Sequence, residues 1–243
     1  MTCLGIIPAR FASTRFPGKP LIDIQGKSMI QRVYEQSRKA KRLKEVVVAT
    51  DDERIFDHVK SFGGHVIMTA THHESGTERC AEAARLLGGV FDVIINIQGD
   101  EPFIDPEQID LLCACFQDPE TDIATLIKPI KDTEELFNPN RPKVDVDDHD
   151  FARMFSRSAI PVLDLPEEKW LENHVYFKHI GIYGYRSHVL AEICQLNPTP
   201  LEQAERLEQL RWLENGYHIK TAVTHVEAIA IDTPEDLAKI AFK

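Results

Sequence analysis

The sequence lacks the features that mark several large classes of protein. No apolar run approaches the roughly 18–20 residues that cross a bilayer, and no basic segment followed by an apolar one opens the chain. The cysteines are odd in number and show no zinc spacing: Cys3, Cys80, Cys113, Cys115 and Cys194. These absences predict a cytoplasmic protein with reduced thiols and without a membrane span or a secretory signal.

Three well-known site motifs are missing as well. The chain has no G-x-G-x-x-G, which binds dinucleotides, and no G-x-x-x-x-G-K-[ST], which binds phosphates in Walker-type proteins. It also has no G-x-S-x-G, the turn that carries a nucleophilic serine. A phosphorylated ligand would therefore be held by a different arrangement of side chains.

Basic residues are concentrated near the N-terminus. The formal net charge is −11, yet the first 50 residues carry ten Lys and Arg against three Asp and Glu. Arg10, Arg15 and Lys19 follow a short apolar strand, and Gly18 stands beside the lysine. Guanidinium pairs, a point charge and close backbone N–H groups suit a small phosphorylated ligand. The acidic remainder argues against nucleic acid and anionic membrane as partners, because both favour an extended basic face.

Short apolar runs alternate with helical patterns through the first half of the chain. Strands are predicted at 3–7, 45–49, 65–68, 91–97 and 123–130, and helices at 29–41, 53–62, 77–87 and 106–116. This alternation predicts an α/β fold with a doubly wound, mostly parallel sheet in a single domain, 1–243. Ligands bind at the carboxyl ends of such strands, so residues 10–19 and 98–101 are expected to share one mouth.

The pattern changes in residues 137–178, where proline recurs and an acidic run follows. We expect here a smaller antiparallel excursion that packs on the sheet or meets a second subunit. Beyond it, the pattern predicts a strand at 179–185, helices at 187–196 and 200–215, a strand at 219–223 and a last helix from 234.

Two aspartates are candidates for a metal site. Asp100 directly follows the most apolar strand, and Asp232 precedes the last predicted helix. Mg²⁺ takes one or two protein carboxylates and completes its shell with phosphate and water, so both aspartates are predicted ligands. The alternative for each is structural, as a turn residue at 100 and as a helix cap at 232.

Eight segments, in order and over nearly the whole chain, resemble the sugar-nucleotide cytidylyltransferase family of the 3-deoxy-manno-octulosonate (Kdo) type. They are IPARxxSTRxPGKPL at 7–21, VATD at 48–51, SGTER at 75–79, NIQGDEP at 96–102, FSRSAIP at 155–161, HIGIYGYR at 179–186, LEQLR at 207–211 and DTPED at 232–236. The resemblance implies a nucleotidyltransferase-type fold and a homodimer built on the 137–178 excursion. It also implies the reaction of CTP with Kdo to give CMP-Kdo and pyrophosphate, for lipopolysaccharide biosynthesis.

For the nucleotide, the resemblance implies that cations neutralise the triphosphate and that Mg²⁺ is held at the α-phosphate. The implied catalytic residues are Arg10, Arg15, Lys19, Asp100 and Asp232. The free N–H groups of the helix that opens at 75–79, together with the side chain of Arg79, suit cytosine O2 and N3, which are both acceptors. The nucleotide-binding set is Arg10, Ser13, Thr14, Arg15, Lys19, Ser75, Gly76, Thr77, Arg79 and Gln98.

For the sugar, strand alternation places His179, Gly181, Tyr183 and Tyr185 on one face, with Ile180 and Ile182 on the other. In the predicted 200–215 helix, Leu201, Ala204, Leu207 and Leu210 form the buried stripe, flanked by Glu208 and Gln209. The sugar carboxylate requires a cation, for which we choose Arg157. The predicted substrate-binding set is Gln98, Arg157, His179, Tyr183, Glu208 and Gln209.

Other functions remain open at this point. A cytidylyltransferase for 8-amino-Kdo or a sialic acid shares the chemistry and differs in the sugar pocket, and a uridylyl- or guanylyltransferase matches fewer segments. A non-catalytic nucleotide-binding regulator is the alternative from another class, and it would need no second metal carboxylate.

Overall fold

A mixed β-sheet lies at the centre of the structure, which is a computed structural model that describes residues 1–12, 16–227, 230–231, 233 and 235–237. Its strands are β1 (Cys3–Ala9), β4 (Leu43–Thr50), β5 (Val66–Met68), β6 (Val93–Asn96), β7 (Ile123–Pro129), β8 (Lys143–Val146), β9 (Ala152–Ser156), β10 (Phe177–Arg186) and β11 (Ile219–Val223). A separate two-stranded sheet pairs β2 (Asp23–Ile24) with β3 (Lys27–Ser28). The helices are α1 (Met29–Ser37), α2 (Glu53–Ser61), α3 (Gly76–Leu87), α4 (Pro106–Cys115), α5 (Thr133–Phe137), α6 (Trp170–Asn173), α7 (Ser187–Ile193), α8 (Pro200–Glu205) and α9 (Gln209–Glu214).

The order of the strands confirms the predicted doubly wound architecture. Across the sheet it runs β11-β7-β10-β6-β1-β4-β5, with β8 and β9 added beside β10. The neighbours β6, β1, β4 and β5 are parallel to one another, whereas β10 is antiparallel to both β6 and β7. The carboxyl ends of β1 and β6 therefore lie at one edge, with the start of β10 beside them.

Two apolar clusters cover the two faces of the sheet, as near-continuous apolar strands require. One contains the inward residues of α1, α2 and α4, and the other contains those of α3, α7 and α9. The strand β10 divides its side chains between them, with Ile180 and Ile182 in the first cluster and Tyr183 and Tyr185 in the second. The predicted alternation along this strand is therefore confirmed.

The helices that begin near the carboxyl edge are capped by short polar side chains. Ser75 Oγ accepts a hydrogen bond from Glu78 N at the start of α3, and Asp105 does the same for Glu107 N at the start of α4. Such caps stabilise a helix by about 1 kcal/mol and fix where it starts. The start of α3 is fixed further by Gly76, where a Cβ would lie 3.3 Å from Pro8 Cγ and 3.6 Å from Asn96 Nδ2.

The excursion contains the antiparallel strands that the sequence predicts. β8 pairs with both β9 and the first residues of β10. A third, smaller apolar cluster packs around Trp170 and Tyr176. Several apolar side chains of this region stay exposed, namely Phe137, Val162, Leu165 and Val175.

The predicted single helix at 200–215 is wrong. The chain forms α8 and α9 instead, and Arg206 between them takes the left-handed conformation with φ of 54°. Consequently Ala204, expected in the buried stripe, is exposed, while Leu207 and Leu210 are buried. A left-handed arginine costs free energy, so neighbouring contacts must hold the break in place.

Among the described residues, the helices are all too short or too polar to span a bilayer.

Candidate active site

A cavity of about 460 Å³ opens at the carboxyl ends of β1 and β6. Its lining includes Arg10, Lys19, Gln98 and Asp100, from the two segments that the sequence analysis expected to share one mouth. It also includes Ser75, Gly76 and Arg79 from the start of α3. At Gly99, a Cβ would lie 2.9 Å from the carbonyl oxygen of Pro8. Glycine at this position lets the loops after β1 and β6 approach closely enough to form one site.

The basic loop after β1 meets Asp100 directly. Lys19 Nζ lies 2.9 Å from Asp100 Oδ2, and both side chains are largely shielded from solvent. Gly18, at a φ of 72°, makes the turn that brings the lysine here, and its N–H donates to Phe11 O at 3.0 Å. On the other side of the cavity, Arg10 Nη1 donates to His73 O at 3.4 Å.

Asp100 is the side chain of this cavity that is suited to hold a magnesium ion. It is a carboxylate at the cavity wall, and its backbone oxygen accepts a hydrogen bond from Ile231 N at 2.9 Å. That bond joins Ile231 to the Asp100 loop. The second predicted ligand, Asp232, lies outside the described residues, as do Ser13, Thr14 and Arg15. Within the described residues, no group of three or more His, Cys, Asp or Glu side chains could hold a metal, so Mg²⁺ would rely on phosphate and water ligands.

Arg79 is fixed in place by three acceptors. Its side chain is 1% exposed, and Nη2 contacts Asp51 Oδ2 at 2.9 Å. Nη1 donates to Thr69 Oγ1 at 2.6 Å and to Ala70 O at 3.3 Å. Arg79 is also one of the residues that line the cavity. The predicted contact of Arg79 with the base thus stays a prediction, and the structure adds Asp51 as the residue that orients it.

The side chain of Thr77, which the sequence analysis assigned to the nucleotide, contacts a residue assigned to the sugar. Its hydroxyl donates to Glu208 Oε2 at 3.0 Å, and the residue is 4% exposed. This contact supports a role of the Thr77 hydroxyl at the sugar site rather than at the nucleotide site. The contact joins the first turn of α3 to the junction that precedes α9, between residues assigned to the nucleotide and to the sugar.

Of the predicted sugar residues, Gln98 lines the cavity, while His179, Tyr183, Glu208 and Gln209 form a second group next to it. His179 and Tyr183 have ring centroids 5.2 Å apart, and Tyr183 and Tyr185 both contact Trp212 of α9. His179 Nε2 is hydrogen-bonded with Thr125 Oγ1 at 3.1 Å. Burial lowers the pKa of His179 to about 4, so the imidazole is neutral at physiological pH.

This second group contains buried polar atoms whose hydrogen-bonding capacity is unused. Of the five buried side-chain atoms without a hydrogen-bond partner in the described part of the chain, four belong to this group, namely Asn96 Oδ1, Tyr183 Oη, Tyr185 Oη and Gln209 Nε2, and the fifth is Thr199 Oγ1. An unpaired buried polar atom costs about 1–3 kcal/mol, so four together are typical of a site that a polar ligand completes. Asn96 and Tyr185 were missed as candidates, although the NIQGDEP segment and the alternation along β10 both contained the signal.

Arg157 does not meet the other sugar residues. Its Nε donates to Glu205 O at 2.7 Å, Nη1 to Pro139 O at 3.1 Å and Nη2 to Arg206 O at 3.3 Å. Glu205 in turn accepts from Ser156 Oγ and from Arg157 N. These bonds hold the break between α8 and α9, and they engage three of the five N–H groups of the guanidinium. The structure gives Arg157 this structural role, and its predicted contact with the sugar carboxylate stays a prediction.

The carboxyl of Glu101 also lies beside Asp100. It is 8% exposed, and burial together with the Asp100 charge raises its pKa to about 7. Sequence reasoning had no signal for this residue, because its burial depends on the packing of the loop rather than on a pattern.

Known proteins resemble this chain over almost its full length. The family model described as Cytidylyltransferase matches residues 4–228. The 3-deoxy-manno-octulosonate cytidylyltransferase of Parabacteroides distasonis is 57% identical over 244 residues, which cover 98% of this chain and 96% of the relative. The chain belongs to the 3-deoxy-manno-octulosonate cytidylyltransferase family. A more distant member from Geobacter sulfurreducens is 46% identical, with 100% of this chain and 99% of the relative covered.

The fold of this family member is also that of solved structures. A CMP:2-keto-3-deoxy-manno-octonic acid synthetase complexed with CTP superposes with a TM-score of 0.92 at 42% identity, covering 100% of this chain and 98% of the other. A putative glucose-1-phosphate thymidylyltransferase from Bacillus anthracis has a TM-score of 0.67 at 17% identity, which shows a shared fold alone. The nucleotidyltransferase-type fold expected from the sequence is therefore confirmed, and the chain is a nucleotidyltransferase.

Proposed function

We propose that this protein transfers the cytidylyl group of CTP to Kdo, forming CMP-Kdo and pyrophosphate. The observation that carries the proposal is the pairing of two sites at one sheet edge: a cationic cavity with Asp100, and beside it a group of polar residues with unused hydrogen-bonding atoms. The full-length similarity to a CMP:2-keto-3-deoxy-manno-octonic acid synthetase complexed with CTP supports this assignment.

The reaction needs positioning and charge stabilisation rather than a protein nucleophile. The anomeric 2-hydroxyl oxygen of Kdo attacks the α-phosphorus, the bond from that phosphorus to the bridging oxygen breaks, and pyrophosphate leaves with the bond's electron pair. The hydroxyl proton is lost to solvent or to a neighbouring base. Arg10 and Lys19 line the space where the phosphates would lie and neutralise charge that builds up on the leaving group. Arg15 is assigned the same role from sequence.

Magnesium is the cofactor that this chemistry favours. Asp100, with Asp232, would hold the ion, which would withdraw charge from the α-phosphate and lower the pKa of the attacking hydroxyl. Lys19 Nζ, 2.9 Å from Asp100 Oδ2, is placed to reach phosphate oxygens of a nucleotide in the same cavity.

The sugar would bind against β10 and α9. His179, Tyr183, Glu208 and Gln209 offer a neutral imidazole, a phenol, a carboxylate and an amide, which together can pair with several hydroxyls. Gln98 lies between the two sites and is assigned to both ligands. The cation for the sugar carboxylate is then sought among Arg10, Arg15 and Lys19, since Arg157 is engaged elsewhere.

In its cellular setting, we infer a cytoplasmic enzyme that supplies an activated sugar for lipopolysaccharide assembly. We further infer a homodimer in which the exposed apolar side chains of the excursion meet a second copy. Both inferences follow from the family assignment, and the second also has the exposed apolar surface as support.

Pyrophosphate release is the measurement that tests the proposed function. We expect release from CTP with Kdo in the presence of Mg²⁺, with much slower release from N-acetylneuraminate and from UTP. The 8-amino analogue of Kdo serves as the close competitor for the sugar site. Equal kcat/KM for Kdo and for N-acetylneuraminate, or for CTP and UTP, would contradict the assignment, because a site that pairs a polar edge discriminates strongly.

A further inference from the structure

The contact between Thr77 and Glu208 links two parts of the chain that are 131 residues apart. Thr77 stands in the first turn of α3, directly after Gly76 of the nucleotide cavity. Glu208 immediately precedes α9, directly before Gln209 of the predicted sugar site. The hydroxyl of a buried threonine therefore spans the boundary between the two sites.

The hydrogen bond from Thr77 is one of the interactions that set the pKa of the Glu208 carboxyl. Burial raises the pKa of Glu208, while the Thr77 hydroxyl, the charge of Arg211 and, to a smaller extent, the Ser75 hydroxyl lower it. Arg211 is itself paired with Glu202, to which its Nε and Nη2 donate at 2.7 and 2.6 Å. The Glu202 carboxylate therefore balances much of the Arg211 charge. The titratable and charged groups facing Glu208 from the elements around it are Tyr183, Tyr185, Cys80, Cys194, Glu78, Glu202 and Arg211.

Most of these facing groups do not favour a charged carboxylate. The tyrosines and cysteines are neutral, since burial raises the pKa of each of them, and Glu202 is a like charge. In such surroundings the hydrogen bond from the Thr77 hydroxyl, at 3.0 Å, is one of the interactions that favour the charged form. The ionised carboxylate is the form that accepts hydrogen bonds from sugar hydroxyls at both oxygens.

We propose that Thr77 is a positioning residue for the sugar, holding the Glu208 carboxylate oriented toward Kdo, and that it has no direct role in binding CTP. The proposal rests on the proposed function for the identity of the sugar. It replaces the nucleotide-binding role that the sequence assigned to Thr77. The first turn of α3 then serves both ligands, through its backbone and Gly76 on one side and through Thr77 on the other.

Two substitutions at Thr77, one without the hydroxyl and one with it, test the proposal. Thr77→Val keeps the shape of the side chain and removes the donor, whereas Thr77→Ser keeps the donor. We expect Thr77→Val to lower kcat/KM for Kdo by about tenfold or more, since hydrogen bonds to charged groups are strong. Thr77→Ser should recover most of this loss, and CTP binding measured by calorimetry without sugar should stay within about twofold in both variants.

The pH dependence gives a readout that a merely structural role would not move. Without its donor, the pKa of Glu208 rises, so the acidic limb of kcat/KM for Kdo should move to higher pH in Thr77→Val and return in Thr77→Ser. As a control, Thr121→Val removes another buried hydroxyl, which donates to Cys115 O at the opposite end of the sheet. This control should match the loss of stability without moving the acidic limb.

The effect of Thr77 on the pKa of Glu208 can be measured whether or not Kdo is the substrate. A carboxyl NMR titration of Glu208 follows its pKa directly, and this pKa should rise in Thr77→Val even if Kdo were not the substrate. Failure of the proposed function would appear as a wild-type protein that releases no pyrophosphate from CTP with Kdo. The Thr77 proposal is overturned if the Glu208 titration is unchanged, if serine recovers nothing, or if Thr77→Val weakens CTP binding as much as it impairs Kdo use.

Discussion

At the scale of single residues, the ion pair of Arg79 with Asp51 is the most deeply buried charge pair beside the cavity. Arg79 is 1% exposed, and the side chain of Asp51 is 16% exposed. Removing one partner of such a pair leaves the other charge uncompensated in a medium that solvates it poorly. The VATD segment at 48–51 thereby acquires a physical role that its sequence alone did not reveal.

Asp51→Ala should lower the free energy of unfolding by about 3 kcal/mol, because the Arg79 guanidinium would stay buried without its counter-charge. Urea denaturation measures the loss. Asp52→Ala is the matched control, since Asp52 caps α2 and pairs with the exposed Arg54, and its loss should cost about 1 kcal/mol. Equal losses for the two variants would show that Arg79 is adequately solvated without Asp51.

His179 should make the protein less stable in mild acid. Its pKa of about 4 in the folded state lies below the ordinary value of 6.5, so the unfolded chain binds more protons between these values. Stability is therefore full above about pH 6.5 and falls as the pH drops toward 4. Between about pH 7 and pH 5, His179→Gln should lose about 1–2 kcal/mol less stability than the wild-type protein.

Denaturation curves at the two pH values measure this difference. His188→Gln, at an exposed position, is the control and should follow the wild-type curve. If His179→Gln also followed it, the imidazole would be protonated in the folded protein and available as a cation.

Asp100→Asn should lower turnover on the order of 100-fold or more while leaving the fold intact, if this carboxylate holds Mg²⁺. The amide oxygen of asparagine can still accept the hydrogen bond that Lys19 Nζ now donates, so the loop keeps its main contact. Steady-state rates over a Mg²⁺ titration measure the effect. Normal turnover at limiting Mg²⁺ would remove Asp100 from the ligand set.

At the scale of elements, the alternating apolar strands and helices could be predicted because each buries a simple periodic face. The core of β6 is an uninterrupted apolar run, and the stripe of α2 repeats at helical spacing. Tyr183 and Tyr185 of β10 could be placed on one face for the same reason. Periodicity is a local property, so it is visible in the sequence.

The break between α8 and α9 could not be predicted, because its cause is not local. The helical pattern continues through 200–215, but the backbone turns at Arg206. Glu205 accepts hydrogen bonds from Ser156, the last residue of β9, and from Arg157 N directly after it, and the Arg157 side chain donates to the carbonyls of Glu205 and Arg206. Contacts from about 50 residues away override the helical propensity. The same break places Glu208 beside Thr77. The sequence could therefore predict that Glu208 belongs to the site, but it could not predict that Thr77 is its hydrogen-bond partner.

Arg157→Ala should destabilise the protein by about 2 kcal/mol, because three backbone carbonyls would lose their charged donor. Since the break supports Glu208 and Gln209, kcat/KM for Kdo should fall as well, while CTP binding stays unchanged. Arg157→Lys should recover little, since one ammonium cannot reach the positions of a planar guanidinium.

The control for this prediction is Arg153→Ala, an exposed arginine on the same strand, which should alter stability very little. Thermal unfolding and steady-state kinetics provide the two measurements. A loss in Kdo use without any loss of stability would return Arg157 to the sugar carboxylate, as the sequence analysis first assigned it.

At the scale of the whole molecule, the exposed apolar side chains are unevenly placed. Four of them belong to the excursion and its flanks: Phe137, Val162, Leu165 and Val175. The same region contains the small apolar cluster of Trp170 and Tyr176, and Phe137 contacts Trp170 at a ring-centroid distance of 5.7 Å. With a net charge of −11, two copies repel at long range, so a dimer must rest on a close apolar contact.

Val162 and Val175, at 76% and 61% exposure, are the positions where a charge should separate the proposed dimer most cleanly. Val162→Glu combined with Val175→Glu would place four carboxylates in the interface of two copies, a cost that apolar contact cannot offset. Light scattering after size-exclusion chromatography should then change from the dimer mass to that of a monomer of 27.6 kDa. Val90→Glu, at 87% exposure outside the excursion, should leave the mass unchanged. A double variant that stays dimeric would place the interface on another surface, and a monomeric wild-type protein would rule out the dimer itself.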